Sequence, residues 1–331
     1  MLGSDSSSLS VVRAVVVASL IGLFACGASG SEIAVDAAVP TPDATPGAPR
    51  LVPAATIQPA AERVVAIGDF HGDIIGARRA LLFAGVIDAQ VRWVGGKTVV
   101  VQMGDLLDRG DDEEEILLMM ARLADEAHAA GGALYSLVGN HEAMNVALDL
   151  RYVTAGGYAD FADTDYDQND AELLTYPAEQ RGRVAAFRPG GVYARMLAGH
   201  NTVMVVGDTL FVHGGILPQH ATAGLDNINK GIQRWMVEGG PDPDDIHGDD
   251  CPVWSRHYSD NDVPADCTLL NTTLDQLGLA RMVVAHTVQD RINAACNEAV
   301  WRVDVGLAQY YGGSPAVLEI VGDQVRVIDS L

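Results

Sequence analysis

The sequence predicts an α/β fold: one sheet with buried parallel strands, a second sheet after it, and a helical insertion between the two. Three observations lead there. Short β-branched runs alternate with amphipathic segments from residue 63 to residue 140, as they do where strands feed helices that cover a parallel sheet. Residues 145–197 break that rhythm and carry the acidic, aromatic-flecked stretch YADFADTDYDQNDAELL (158–174). Apolar runs then return, two pairs of them joined by Gly-Asp at 207–208 and 322–323, as in hairpins.

Taken in order, RVVAIGD (63–69) reads as a strand ending at a glycine turn. HGDIIGARRALLFAGVI (71–87) has helical periodicity, with Ile74, Ile75, Ala77, Ala80, Leu81 and Ala84 near one face. KTVVVQMGD (97–105) is a second strand. DDEEEILLMMARLADEAHAAGG (111–132) is a helix with acids in its first turn and Gly131 past its end, both favoured there. Its acidic run, Asp111 to Glu115, reads as a helix start with solvated charge. ALYSLVGN (133–140) is a third strand. The insertion, 145–197, reads as a lid over whatever site the strand ends form. In the second sheet, TVMVVGDTLFVHGG (202–215) is a hairpin, LDNINKGIQRWM (225–236) a helix, MVVAHT (282–287) and AVWRVDVG (299–306) strands, and AVLEIVGDQVRVID (316–329) a closing hairpin.

The N-terminal 60 residues are of another kind. Arg13 precedes the apolar run AVVVASLIGLFA (14–25), too short for a membrane-spanning helix and suited to a secretory signal. The run ends at Leu23-Phe24-Ala25-Cys26. This resembles the lipobox of bacterial lipoproteins, although Phe24 stands where a small or β-branched residue is usual; a simple cleaved signal is the alternative. Residues 27–60 are rich in Ala, Pro, Thr, Gly and Ser and read as a disordered tether. An exported protein, periplasmic, anchored by lipid or secreted, follows from these readings, with a folded domain over 61–331. Export also permits one disulfide among Cys251, Cys267 and Cys296. Cys251–Cys267 closes the shorter loop and is the pairing expected.

The 331 residues carry a net charge of −23. A chain so acidic repels nucleic acid and anionic surfaces at long range, so any hold on phosphate must come from local cations.

Polar residues gather where the strands end. The first gives Asp69, His71 and Asp73 in GDFHGD (68–73). The second gives Asp105, Asp108 and Arg109 in GDLLDRG (104–110). The third gives Asn140 and His141 in GNHE (139–142). Later strands give His213 in FVHGG and His286 in VVAHT. Ligands of open α/β sheets bind outside the carboxyl ends of strands. Each motif alone has a plain structural reading: Asp73 as a helix cap, His213 or His286 as a hydrogen-bonded core histidine. Two acids and an arginine within GDLLDRG resist it, being costly to bury unpaired. Together the residues suffice for two divalent ions about 3.5–4 Å apart, the arrangement that clamps phosphoryl displacement. Asp69 and His71 serve one ion, Asn140, His213 and His286 the other, and Asp105 bridges. Mixed imidazole and carboxylate ligands suit Mn, Fe or Zn.

These five motifs, in this order, resemble the calcineurin-like metallophosphoesterases, specifically the phosphoprotein phosphatase group. The flanks FRPGGVYARML (187–197), GDTLFVHGGI (207–216) and VDVGLAQYYGGSPAVLEI (303–320) are most similar to the Shewanella-like protein phosphatases. The resemblance implies a sandwich of two mixed β-sheets flanked by helices. It implies two divalent metals on the ligands just named, with a hydroxide between them as nucleophile. It makes His141 the acid that protonates the leaving oxygen, Asp108 its orienting partner, and Arg109 a phosphate ligand. Arg256 in PVWSRHYSD (252–260) stands where that group carries a further arginine, although Ser255 and His257 depart from its pattern; the plain alternative is a surface pair with Asp260 or Asp262. Ala285 replaces the arginine that many eukaryotic relatives carry before the last histidine.

Hydrolysis of phosphomonoesters on phosphorylated protein side chains is thus the leading expectation. A small-molecule phosphoesterase, such as a dinucleoside polyphosphate hydrolase, is one alternative. A non-catalytic surface lipoprotein with structural metals is the other, and it leaves His141 and Asp108 without a task.

Overall fold

The computed structural model describes residues 53–329. The signal segment, Cys26 and the tether up to residue 52 lie outside them. Among the described residues the strands are β1 (Ile57–Gln58), β2 (Val64–Ile67), β3 (Val99–Gln102), β4 (Ala133–Ser136), β5 (Val203–Val206), β6 (Thr209–Val212), β7 (Arg281–Val284), β8 (Asn293–Ala295), β9 (Val300–Arg302), β10 (Val317–Val321) and β11 (Gln324–Ile328). The helices are α1 (Ile74–Phe83), α2 (Glu113–Ala129), α3 (Asn140–Val146), α4 (Ala155–Ala159), α5 (Arg181–Phe187), α6 (Val192–Leu197), α7 (Pro218–Ala223), α8 (Leu225–Glu238) and α9 (Cys267–Leu277).

Two mixed sheets result. One runs β11-β10-β2-β3-β4 and the other β1-β5-β6-β7-β9-β8. Strands β2, β3 and β4 are parallel, and all four residues of β2 are buried, as an unbroken apolar run in a covered parallel sheet should be. In the second sheet β6, β7 and β9 are parallel while β5 is antiparallel to β6. One hydrophobic cluster draws on both sheets, from Val65, Ile67 and Val101 to Phe211, Val283 and Val300.

Four expectations need correction. The closing hairpin does not extend the second sheet: β10 pairs antiparallel with β2 of the first, Glu319 opposite Val65. That register brings Glu319 to Arg63, whose Nε donates to it at 2.7 Å. Residues 57–58, inside the stretch read as tether, pair in parallel with Val205 and Val206 of β5. Ile75 is 60% exposed, because Gly76 takes the inner position and lies against Leu307 and Asp73. The disulfide joins Cys267 to Cys296, with Cα atoms 5.2 Å apart. Cys251 is free and buried; α9 begins at Cys267 and faces the β8–β9 turn, where Cys296 sits, so sequence proximity was the wrong guide.

The segment 145–197 contains α4, α5, α6 and two 3-10 turns at Leu173–Thr175 and Ala178–Gln180. It has a small hydrophobic cluster of its own at Leu173, Val184 and Ala185.

Candidate active site

Asp69 and His71 follow β2, Asp105 follows β3, Asn140 and His141 open α3 after β4, His213 follows β6 and His286 follows β7. All but His286 are buried, and they converge. Asp105 lies at the centre: its Oδ2 is 3.7 Å from His71 Nε2, 3.8 Å from His141 Nε2 and 3.2 Å from His213 Nε2. Two candidate metal groups share it, His71–Asp105–His141 and Asp105–His213–His286.

The backbone is bent to achieve this. His71, Asp105, Asp108, Arg109 and His286 all adopt positive φ, between 46° and 72°. Side-chain-bearing residues enter that region at a cost, and such strain collects at functional sites. The turn before α3 is equally confined. A Cβ at Gly139 would stand 2.2 Å from Asp105 Oδ1, so only glycine lets β4 deliver Asn140 and His141 beside that carboxylate.

The histidine tautomers are set by the main chain. His71 Nδ1 is 3.1 Å from the Leu107 carbonyl and His213 Nδ1 is 2.8 Å from that of Met103. A ring donating through Nδ1 offers the Nε2 lone pair to the centre, the usual second bond of a metal-binding histidine. His213 Nε2 also stands 2.9 Å from Asn140 Oδ1. Among the candidate metal ligands two are left without hydrogen-bond partners: both carboxylate oxygens of Asp69 and both ring nitrogens of His286. Buried orphans are rare and costly. A carboxylate and an imidazole facing a cluster of like ligands are what divalent-cation binding supplies partners for, so the donor set fits the metals that the motifs imply.

Electrostatics follow from the crowding. Burial, then the Asp304, Asp105 and Glu142 carboxylates, push Asp69 well above the ordinary carboxyl range. Burial lowers His71 to about 4. Burial opposes ionisation of Asp105, yet His213, His141 and His71 together hold it well below the usual range.

Asp108 sits beneath His141, with Oδ2 2.6 Å from His141 Nδ1. Its Oδ1 accepts Asn145 Nδ2 at 3.1 Å and Arg183 Nη2 at 3.2 Å. Arg109 reaches the rim. Its guanidinium lies 3.9 Å above the Tyr152 ring and 4.8 Å from that of Tyr310, and Nη1 donates to the Tyr310 hydroxyl at 3.0 Å. Tyr152 also packs against His141, ring centres 5.2 Å apart, so the 145–197 segment reaches the site through this side chain. Arg256 is exposed; among the described residues it forms no ion pair with Asp260 or Asp262, and burial, then the charges of His213 and Arg256, lowers His286 well below the usual range. Asp73 caps α1, Oδ1 accepting Gly76 N at 2.9 Å.

Several participants escaped sequence reasoning. Glu142, the last residue of GNHE, accepts from the backbone N–H groups of Asp105, Leu106 and Gly139 at 2.7–2.8 Å and so pins the GDLLDRG loop. The motif itself was its signal. Glu113, read as solvated charge, is buried and bonds Asp108 N at 2.6 Å. Asp304, beside Asp69, is buried and raised to about 6 by burial. Arg183, Tyr152 and Tyr310 belong to no short motif.

Comparison with known proteins agrees with this architecture. The calcineurin-like phosphoesterase family profile matches residues 62–290, which include every motif above. Shewanella-like protein phosphatase 2 of Arabidopsis thaliana is 40% identical over 304 residues, covering 81% of this chain and 78% of that protein. Shewanella-like protein phosphatase 1 of Plasmodium berghei is 27% identical over 281 residues, covering 80% and 74%. Among solved structures, a cold-active protein tyrosine phosphatase superposes with a TM-score of 0.70 at 25% identity, over 84% of this chain and 79% of its own. The chain belongs to the calcineurin-like phosphoesterase family and is a metallophosphoesterase similar to the Shewanella-like protein phosphatases.

Proposed function

We propose that this protein hydrolyses phosphomonoesters on phosphorylated protein side chains. The observation that carries the reading is Asp105, a buried carboxylate ringed by three histidines, with the unpartnered Asp69 and His286 on either side. Asp69, His71 and Asp105 would hold one divalent ion, and Asp105, Asn140, His213 and His286 a second, with Mn, Fe or Zn the metals suited to such ligands. Bound there, the pair would supply Lewis-acid stabilisation of phosphoryl oxygens and an activated water.

The chain's own residues supply the rest. Arg109 binds phosphate oxygens, since a guanidinium matches them two at a time. Tyr152 and Tyr310 hold its plane in place. His141 gives its Nε2 proton to the leaving oxygen as the P–O bond breaks. His141 Nε2 is near enough to Asp105 to count geometrically as a ligand. Its Nδ1 is instead tied to a carboxylate, which stabilises the protonated ring, and Asp69 offers an unpartnered carboxylate in its place. This pairing supports proton transfer as the task of His141. Arg256 serves as an outer phosphate contact.

The names of the three relatives described above, each a protein phosphatase, support a phosphoprotein substrate. The test is Asp105→Asn. Hydrolysis of 4-nitrophenyl phosphate by the Mn-loaded variant should vanish while its circular dichroism matches the parent's. Undiminished turnover would refute the reading. Phosphotyrosine and phosphoserine peptides assayed side by side then identify the side chain preferred.

Export is a separate proposal, resting on residues 1–26 alone. Mass spectrometry of the mature N-terminus decides between a lipid-bearing Cys26 and a simple cleavage.

A further inference from the structure

Arg183 comes from α5, inside the insertion, 75 residues beyond Asp108 in sequence. It is fully buried. Its Nε donates to Asn145 Oδ1 at 2.9 Å, Nη1 to the Gly157 carbonyl at 2.8 Å and by a short contact to Glu113 Oε2, and Nη2 to Asp108 Oδ1 at 3.2 Å. The Phe161 and Phe187 rings flank it, 5.1 and 5.0 Å from Cζ.

Three of these neighbours, Asn145, Glu113 and Asp108, lead back to His141. Asn145 bridges Asp108 Oδ1, at 3.1 Å, and the His141 carbonyl, at 2.9 Å. Glu113 Oε1 holds the backbone N–H of Asp108, whose φ is 66°. Arg183 and Asn145 thus occupy Asp108 Oδ1 and leave Oδ2 for His141 Nδ1. A buried arginine needed only for stability could rest on Glu113 alone. Here its fork spans the two carboxylates that fix both the side chain and the main chain of Asp108, and a planar fork does this where a point charge cannot.

We infer that Arg183 is a positioning residue for proton donation: the insertion reaches under the site and, through Asp108, sets the ring of His141 that gives its proton to the leaving oxygen. The inference rests on the proposed role of His141. It also assigns the insertion a part in catalysis beyond that of a cover.

Leaving groups separate this from a general loosening of the fold. A poor leaving group needs the proton as its P–O bond breaks, whereas 2,4-dinitrophenolate departs without it. The experiment compares kcat and KM for phenyl phosphate and 2,4-dinitrophenyl phosphate in the full chain loaded with Mn. Arg183→Met should lower kcat on phenyl phosphate by about 10²-fold, the scale of general-acid catalysis, with KM unchanged and kcat on the dinitrophenyl ester nearly so. Arg183→Lys should restore only part of the loss. Since Arg183→Met leaves Glu113 facing no cation, the double variant Glu113→Gln/Arg183→Met removes both charges and carries the test should the single one not fold. Equal losses on both esters, in whichever variant folds, overturn the inference. His141→Asn is the companion: a leaving-group effect there but not at Arg183 defeats the inference alone, and its absence from both defeats the role of His141 and with it the inference.

Discussion

His141 Nδ1 and Asp108 Oδ2 lie 2.6 Å apart, both side chains buried. A carboxylate in that position fixes the ring and stabilises its protonated form, which a proton donor requires. Asp108→Asn keeps a hydrogen-bonding oxygen near His141 but removes the charge. Its kcat on phenyl phosphate should fall by about 10²–10³-fold, the range expected when a general acid is disabled, with KM little changed. Steady-state kinetics on the folded variant checks this; a wild-type kcat would separate the pair from the reaction.

Arg109 lies against two aromatic rings, Tyr152 and Tyr310, and is only partly buried. Lysine cannot stack in that slot or bind two oxygens at once. Losing a charge-assisted hydrogen bond of about 1.5–3 kcal/mol corresponds to roughly a 10- to 150-fold change in an equilibrium constant. Arg109→Lys should therefore raise the inhibition constant for inorganic phosphate by that factor. Unchanged inhibition by phosphate would remove Arg109 from the binding site.

The orphaned Asp69 oxygens and His286 nitrogens predict that divalent cations stabilise the fold. A cation at about 100 times its dissociation constant adds about 2.7 kcal/mol, or roughly 5–10 °C in Tm for a domain of this size. Scanning calorimetry after chelation, and again with Mn restored, reads this out. His286→Ala should shrink the increment; a Tm indifferent to chelator would contradict the assigned ligands.

The cluster of candidate metal ligands was readable from sequence because each of its residues lies within four residues of a strand's end, so glycine turns and β-branched runs mark its place locally. What stayed hidden depends on pairings between distant segments. Arg183 meets Asp108 and Glu113 across 75 and 70 residues, and nothing around Arg183 in the sequence distinguishes it from a surface arginine. For the same reason Glu113 looked like one more acid in a solvated helix start. Hairpin formation by β10 and β11 is local and was evident, but which sheet receives the hairpin depends on β2, some 250 residues away. The cysteine pairing failed likewise: Cys267 and Cys296 are 29 residues apart, and α9 with the β8–β9 turn brings them together.

The hairpin's attachment makes a prediction about pH. Glu319 on β10 accepts Arg63 Nε at 2.7 Å and a short bond from Arg326 Nε, its own side chain 3% exposed against 27% for Arg63 and 71% for Arg326. The contact with Arg326, then that with Arg63, lowers its carboxyl below the usual range against the cost of burial. The unfolded chain then binds the proton more tightly than the folded one, so stability rises with pH across the acid range. This contribution is complete above the unfolded value of about 4.3 and disappears as pH falls through the lower folded one. Both cations are at least partly solvated, so Glu319→Gln should cost only about 1 kcal/mol at pH 7, near the low end for charged hydrogen bonds. Urea denaturation of parent and variant should show that gap at neutral pH, its narrowing once pH falls below the unfolded value of about 4.3, and its closure only as pH passes through the depressed value of the folded carboxyl. A gap that persists to the most acid pH tolerated would assign the loss to packing of the glutamine instead. The consequence reaches the site, because β10 holds the edge of β2, and β2 delivers Asp69 and His71.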